Sequence, residues 1–326
     1  MPFSEIIGHD HNIKLLQRSI ERGRLHHAYI FSGPGGIGKK LTAISLAKAL
    51  NCLEMETDSC GRCIPCRKIE EGNHPDVKIV EADGQVIKID QIRELQRDLQ
   101  FRPFEGKKRV FIIDSADRMG LPASNSLLKT LEEPPKDSVL ILVTANFHSL
   151  LPTIVSRCQR LSFSSLPIPD VEMMLMEKKG FDASTAHIIA AVSEGSIGDA
   201  FGEDEGSILE ERERVFTGFT GLKDKGMIGI FKQAEEMAKD DDLGEMLKVL
   251  KVLYRDMAVF KGGGRGIINS DMVSRIGDEA KDMPMDAILN GFDLISETEG
   301  LIKRNINKQL ALEVMMMRLT DTTVSA

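Results

Sequence analysis

The residues with the clearest chemistry are Gly33-Pro34-Gly35-Gly36-Ile37-Gly38-Lys39-Lys40. Their spacing is G-x-x-x-x-G-K, a loop whose glycines let successive backbone N–H groups turn inward around phosphate oxygens. The apolar stretch Ala28-Tyr29-Ile30-Phe31 leads into it as a strand. Leu41, Ile44, Ala47 and Leu50 continue out of it at helical spacing, and a helix N-terminus adds positive potential. Gly33, Gly35, Gly36 and Gly38 shape the cradle, and Lys39 stands where a lysine reaches β- and γ-phosphates. The next position normally supplies a Ser or Thr hydroxyl to Mg²⁺. Here it is Lys40, and an ammonium cannot coordinate a cation. The loop has the form of a nucleotide site with a fault at its metal.

A second cluster is Cys60-x-x-Cys63-x-x-Cys66, with Cys52 upstream. Four thiolates at knuckle spacing are the ligand set of a tetrahedral structural Zn²⁺ with no open position. An iron–sulfur cluster and four unlinked cysteines are the other readings. His74 is a further candidate ligand that the four cysteines make unnecessary. The run Met315-Met316-Met317 reads as core or interface filler rather than a metal site.

Asp114 ends the apolar run Val110-Phe111-Ile112-Ile113, where a nucleotide switch keeps the carboxylate that orders Mg²⁺. Ser115 follows it, and a hydroxyl is a poor base for activating water. Asn146, after Val139–Val143, is a candidate partner for a γ-phosphate or a water, and equally a turn residue at a strand end. Ser156-Arg157-Cys158 follows a short helix starting near Pro152. An arginine so placed can reach a neighbour's γ-phosphate in trans; on bare sequence a plain surface arginine reads equally well. Cys158 has no His near it in sequence and reads as packing, as do His26 and His27.

The elements that must position these groups alternate. A helix is expected over 9–22, a strand at Ala28–Phe31, the loop helix, and a strand at Asp76–Val80. A helix marked by Ile92, Leu95 and Leu99 follows, then a strand at Val110–Asp114. A helix at Ser126–Glu133 stops at Pro134-Pro135, before strands at Val139–Val143 and Leu161–Phe163. This is an α/β pattern with a mainly parallel sheet, whose ligands gather at the carboxyl ends of strands. The loop, Asp114 and Asn146 are all expected at such ends. Pro167 and Pro169 mark a hinge, and everything after it reads helical. Gly262-Gly263-Gly264 breaks two helices, and the last strong helix carries Leu310, Leu312, Val314, Met315 and Leu319.

The bulk numbers fit an ordinary globular chain of two or three domains: 326 residues, 42% apolar, 28% charged. A net charge of −8 argues against a chain that wraps nucleic acid by itself. Without a long apolar run or a charged leader, neither a membrane span nor a secretory signal is expected, and a cytoplasmic setting follows. Five cysteines in such a chain read as ligands or bystanders rather than disulfides.

Taken together, several segments resemble bacterial DNA polymerase III clamp-loader subunits of the AAA+ class. They are Leu25-His26-His27-Ala28-Tyr29, the loop at 33–40, the four-cysteine insert and Asn73-His74-Pro75-Asp76. Leu127-Leu128-Lys129-Thr130-Leu131-Glu132-Glu133-Pro134-Pro135 and Ser156-Arg157-Cys158 are the most specific of them. Asn305-Ile306-Asn307 with Leu310-Ala311-Leu312-Glu313 resembles the collar-domain end of the same proteins, so the likeness spans nearly the whole chain. The resemblance implies an AAA+ P-loop domain at 1–165 with a zinc-binding insert at 52–66, a helical lid at 166–206 and an all-α collar at 207–326. Motor subunits of the family (gamma/tau) carry Lys-Thr or Lys-Ser in the loop, Asp-Glu at the strand end and an arginine in a Gly-Ser-x-Arg-Asp segment. This chain has Lys39-Lys40, Asp114-Ser115 and Gly195-Ser196-Ile197-Gly198-Asp199. These departures resemble the delta-prime class, whose ATP site is degraded.

The resemblance implies a subunit that does not hydrolyse ATP, with ATP and Mg²⁺ weak or absent. It implies that Arg157 is offered in trans to an adjacent motor subunit. Gamma/tau and delta subunits are the implied partners, with the sliding clamp and primer–template DNA reached through the assembled complex. The alternatives are an active gamma/tau-type motor, a P-loop kinase with a cysteine-rich lid, and a structural zinc protein that binds DNA alone. The last two fit poorly. The knuckle follows the loop helix directly, and no basic, aromatic-rich patch stands out.

Overall fold

The computed structural model describes residues 1–202, 205–220, 226–240, 242–303 and 306–321. The chain divides into two compact units, Met1–Leu166 with Ser196–Gly198, and Pro167–Gly195 with Asp199 onward.

The first unit is built on five strands: β1 (Ala28–Ser32), β2 (Val77–Val80), β3 (Arg109–Ile113), β4 (Ser138–Thr144) and β5 (Gln159–Ser162). All pair in parallel, in the order β2-β3-β4-β1-β5. The helices are α1 (Asp10–Glu21), α2 (Lys39–Asn51), α3 (Ile64–Glu70), α4 (Ile89–Leu99), α5 (Leu121–Glu132) and α6 (Pro152–Val155). Strand alternation sends Tyr29 and Phe31 to a core shared with Leu16 and Leu46, and Ala28 and Ile30 to a core shared with Ile92, Leu95 and Leu127. Both faces are covered, so β1 is buried at every position. This is the parallel α/β sheet expected from the alternation of strands and helices.

Three local expectations need adjustment. The helix expected at Ser126–Glu133 begins at Leu121, because Pro122 sits in its first turn, where its missing N–H is harmless. The last strand runs Gln159–Ser162 rather than Leu161–Phe163; its register on β1 pairs Tyr29 with Gln159. Phe163 still donates its N–H to Ser32 O at 2.7 Å, and its ring packs 5.1 Å from Phe31. The cysteine segment also contains a helix, α3, with Pro65 in its first turn.

Asp76 fastens the β2 edge to the chain before β3. Fully buried, it accepts N–H bonds from Phe104 (2.8 Å), Glu105 (2.9 Å) and Gly106 (2.8 Å), and pairs with Arg109 at 3.1 Å. Burial alone would raise its pKa, but these donors outweigh it and hold the carboxyl below the usual range.

The second unit is helical. It begins with α7 (Ile168–Lys179) and α8 (Ala183–Val192), which pack together. Asp182 caps α8 by accepting from Ser184 N (2.8 Å) and Thr185 N (3.1 Å). After α9 (Ile197–Gly202) come α10 (Glu205–Thr220), α11 (Gly226–Ala238), α12 (Leu243–Lys261), α13 (Val273–Lys281), α14 (Met285–Lys303) and α15 (Lys308–Asp321). Helix α12 is the hub, packing on α10, α13 and α14. Gly291 lets α14 come close: a Cβ there would fall 2.3 Å from the Tyr254 ring. Buried Asp256 accepts from Ile268 N, Asn269 N and Asn269 Nδ2, pinning the turn after Gly262-Gly263-Gly264. In α15, Leu312, Met315, Met316 and Leu319 are buried as core, whereas Leu310 is exposed. Asn305 lies outside the described residues. No described helix is long and apolar enough to cross a membrane.

Candidate functional site

The carboxyl ends of β1, β3 and β4 meet at a pocket of about 480 Å³. It is lined by the loop glycines Gly35, Gly36 and Gly38, by Lys39 and Lys40, by Asp114 and Ser115, and by Thr144 and Ala145. The loop and Asp114 converge as the strand order requires. Asn146 is not among the lining residues. It is exposed, and its N–H donates to Thr144 Oγ1 at 3.1 Å. The pocket wall beside it is set by Asp117, which accepts from Thr144 Oγ1 at 2.7 Å and Ala145 N at 3.2 Å. Nothing in the pattern around Asp117 marked it in the sequence.

The loop's cations are turned onto the protein itself. Lys39, buried, donates its ammonium to the carbonyls of Gly33 (2.7 Å) and Pro34. Burial lowers its pKa, against the pull of Asp114 and Asp117. Lys40 Nζ lies 3.1 Å from Asp114 Oδ2 and also pairs with Glu81. Partial burial would lower the Lys40 pKa, but Glu81 and Asp114 outweigh it and raise it. The ammonium therefore occupies the carboxylate on which a Mg²⁺ would depend. The donor set here does not fit Mg²⁺: no hydroxyl directly follows Lys39, and Asp114 and Glu81, the carboxylates after β3 and β2, are both paired with Lys40.

Two further contacts close the loop. Gly198 N donates to Gly36 O at 2.7 Å, within the first unit. A Cβ at Gly198 would come 2.9 Å from Gly36 Cα, so this approach is open to glycine alone. His9, in the left-handed region just before α1, places Nε2 2.8 Å from Ile37 O while its ring packs edge-on to Phe163. Burial lowers the His9 pKa. Neither contact can be read from local sequence, because both partners are distant along the chain.

Arg157 lies at the turn from α6 into β5. Its Nη2 donates to Glu132 Oε1 at 2.8 Å, and its Nη1 to Thr153 O at 2.9 Å. About a third of the side chain is exposed, and Glu132, at the end of α5, is more exposed still. Cys158 next to it packs against the core, and burial pushes its thiol up to about 12, the setting of a packing residue.

In the insert, the sulfurs of Cys52, Cys60, Cys63 and Cys66 lie within 4.8 Å of one another, with no disulfide among them. An ideal tetrahedron with Zn–S of about 2.3 Å sets sulfurs about 3.8 Å apart, so the four are gathered at close to ligand spacing. Backbone N–H groups already point at sulfur: Met55 N and Cys60 N reach Cys52 Sγ, each at 3.4 Å, and Cys63 N reaches Cys60 Sγ at 3.3 Å. Burial raises the Cys52 thiol, but amide donors from Cys60, Glu54 and Met55 outweigh it and bring it down to about 7. Burial and the neighbouring Cys63 push Cys66 up to about 12. The donor set can hold a metal ion. His74 does not join it: its Nδ1 accepts from Asp76 N at 3.1 Å and its Nε2 faces Glu105 at 3.7 Å.

Comparison with known proteins agrees with this architecture. Residues 8–167 match the family model described as "DNA polymerase III, delta subunit", and residues 207–321 match "DNA polymerase III, delta subunit, C terminal". The DNA polymerase III subunit delta' of Bacillus subtilis (strain 168) is 34% identical over 319 residues, covering 95% of this chain and 95% of that protein. The chain belongs to the DNA polymerase III delta-prime family. Two tau subunits are also similar. That of B. subtilis is 28% identical across 98% of this chain and 62% of its own length. That of Escherichia coli (strain K12) is 33% identical across 66% of this chain and 34% of its own length.

Proposed function

We propose that this chain serves the sliding-clamp loader as a subunit that does not hydrolyse ATP and that presents Arg157 to ATP bound on a neighbouring gamma/tau-type motor subunit. The observation that carries the first half is Lys40 at 3.1 Å from Asp114. With its metal carboxylate paired to an internal ammonium, the pocket lacks the means to order Mg²⁺ on a triphosphate. Ser115 and Gly198 stand where a motor would keep a general base and a second arginine. The second half is supported by the position of Arg157, held at the surface through an ion pair with Glu132, the Thr153 carbonyl and a 3.3 Å contact to Ser156 Oγ. An ion pair of that kind is worth about 0–1 kcal/mol, so the guanidinium is easily redirected to a stronger anion.

In this reading 1–165 is the P-loop domain with the insert at 52–66, 166–206 is a lid and 207–326 is the collar that holds the chain in the ring. Gamma/tau and delta subunits are its neighbours in the cytoplasm, and the clamp and primer–template DNA are handled by the whole assembly. The four cysteines hold zinc, which would tie the insert together and leave no position for chemistry.

The alternative is a gamma/tau-type motor, favoured only by the likeness to tau. The test is direct. The isolated chain is titrated with ATP with and without Mg²⁺, and its turnover is measured. No turnover and no Mg²⁺-dependent binding are expected; sustained turnover would transfer the chain to the motor class. Metal analysis is expected to give about one zinc per chain.

A further inference from the structure

One face of α1 collects cations that the proposed function does not use. His11, Lys14, Arg18 and Arg22 follow one another at spacings of three and four residues, so they share a single helical face. The opposite face, Asn12, Ile13 and Leu16, is buried in the core. After the helix the chain turns back, with Arg24 N donating to Ser19 O at 2.9 Å, and this adds Arg24 to the same row. Together with Gln159 at the start of the edge strand β5, these side chains line an open groove of about 420 Å³.

His11, Lys14, Arg18, Arg22 and Arg24 are all exposed. Among the described residues, none of the four Lys and Arg side chains is paired with a carboxylate, in a chain whose net charge is −8. Elsewhere lysines and arginines are matched to acids: Lys68 with Glu105, Lys108 with Asp137, Arg275 with Glu213. The helix dipole accounts for a cation or two in the last turn of α1, but not for Lys14 further forward, nor for a groove between these cations and β5. Asp10 and Glu21, the acids on α1, are not among the groove's lining residues.

We propose that this groove binds the phosphodiester backbone of nucleic acid, and that it is where this acidic chain itself meets DNA. His11 to Arg22 span eleven steps of about 1.5 Å, or roughly 16 Å, enough to follow a run of phosphates along one strand. Exposed ammonium and guanidinium groups give charge neutralisation without base contacts, so the groove reads backbone and not sequence. The inference rests on the clamp-loader reading for the choice of DNA over other polyanions; the grouping of cations stands without it.

The test uses the full chain alone, with no other subunit and no nucleotide, so that its failure is separable from failure of the trans-arginine reading. Binding of a labelled DNA duplex and of a single strand is followed by anisotropy between 50 and 200 mM salt. Four phosphate contacts give a log–log salt slope of about −3.6 on duplex and about −2.8 on single strand, and about 10²-fold weaker duplex binding across that range. The variant Lys14→Ala/Arg18→Ala/Arg22→Ala/Arg24→Ala is expected to flatten the slope toward zero and to lose at least tenfold in affinity at 50 mM. Arg18→Lys/Arg22→Lys/Arg24→Lys keeps the slope. All positions are exposed, and an unchanged melting temperature checks that the fold is intact. Unchanged affinity and slope in the alanine variant would overturn the proposal. So would the absence of any binding by the parent chain at 50 mM, which would assign the groove to an acidic protein surface instead.

Discussion

At the phosphate loop, Lys39 is buried against two main-chain carbonyls and Lys40 is shared by Asp114 and Glu81. At the α6–β5 corner of the same sheet, Arg157 leans on the exposed Glu132, the Thr153 carbonyl and the Ser156 hydroxyl. The first region has turned its cations inward, with Gly198 and His9 closing over the loop's backbone. The second keeps a planar, always-charged group at the surface, suited to a bidentate grip on phosphate. The difference teaches that a loop can be held firmly by its own cations. In the proposed reading, the residues that in a motor serve a nucleotide here serve the fold, and Arg157, outside the pocket, is the cation offered to a neighbour.

Both corners hang on one five-stranded sheet, and Asp76 is where that sheet's edge can be broken. Asp76→Ala leaves Arg109 and three N–H groups without their acceptor, and loss of about 3–5 kcal/mol is expected in denaturant unfolding. The carboxyl's folded pKa is lowered, so its contribution is fully present above the ordinary carboxylate pKa and is lost as pH falls through the folded value. Parent and Asp76→Asn should therefore converge in stability toward strongly acidic pH; a gap that persists there would mean that Asp76 acts by shape and not by charge.

Lys39→Ala tests whether the loop is now structural. Two carbonyls lose their donor, and about 1–3 kcal/mol of stability should go with it. In an assembled loader the same variant should leave ATPase unaltered, whereas a motor would lose activity.

Smaller effects sharpen the contrast. Lys40→Thr removes a partly exposed pair and should change stability by about 0–1 kcal/mol. It should not by itself create Mg²⁺-dependent ATP binding, because Lys39 and Gly198 still hold the loop; micromolar Mg²⁺-ATP affinity in this variant would make Lys40 the sole defect. Glu132→Gln should likewise shift stability by about 0–1 kcal/mol and leave Arg157 active, since the pair is a resting place and not a requirement.

Much of this was legible in the chain. Alternating apolar runs and helical spacings gave the sheet and its helices, and the glycines at 33–38 and the cysteines at 52–66 marked their sites by type and spacing. Lys40 could be seen to be wrong for Mg²⁺, but not where its ammonium would go, because Glu81 and Asp114 are 41 and 74 positions away. The same limit hid Glu132 beside Arg157 and Gly198 against Gly36. Gly198 read as a missing arginine, and the structure adds that no side chain fits there. The start of α5 was missed because Leu121-Pro122-Ala123-Ser124-Asn125 carries weak helix signals before its apolar spacing begins.

The measurement that bears most directly on the central claim is the clamp- and DNA-stimulated ATPase of a reconstituted loader carrying Arg157→Ala in this chain alone. Loss of a trans-acting arginine costs about 10³–10⁵ in rate at the site it serves. The loader should accordingly lose the turnover of the one motor site adjacent to this subunit while still assembling and binding ATP. Stimulated turnover equal to that of the unmodified loader, in a fully assembled complex, would contradict the account.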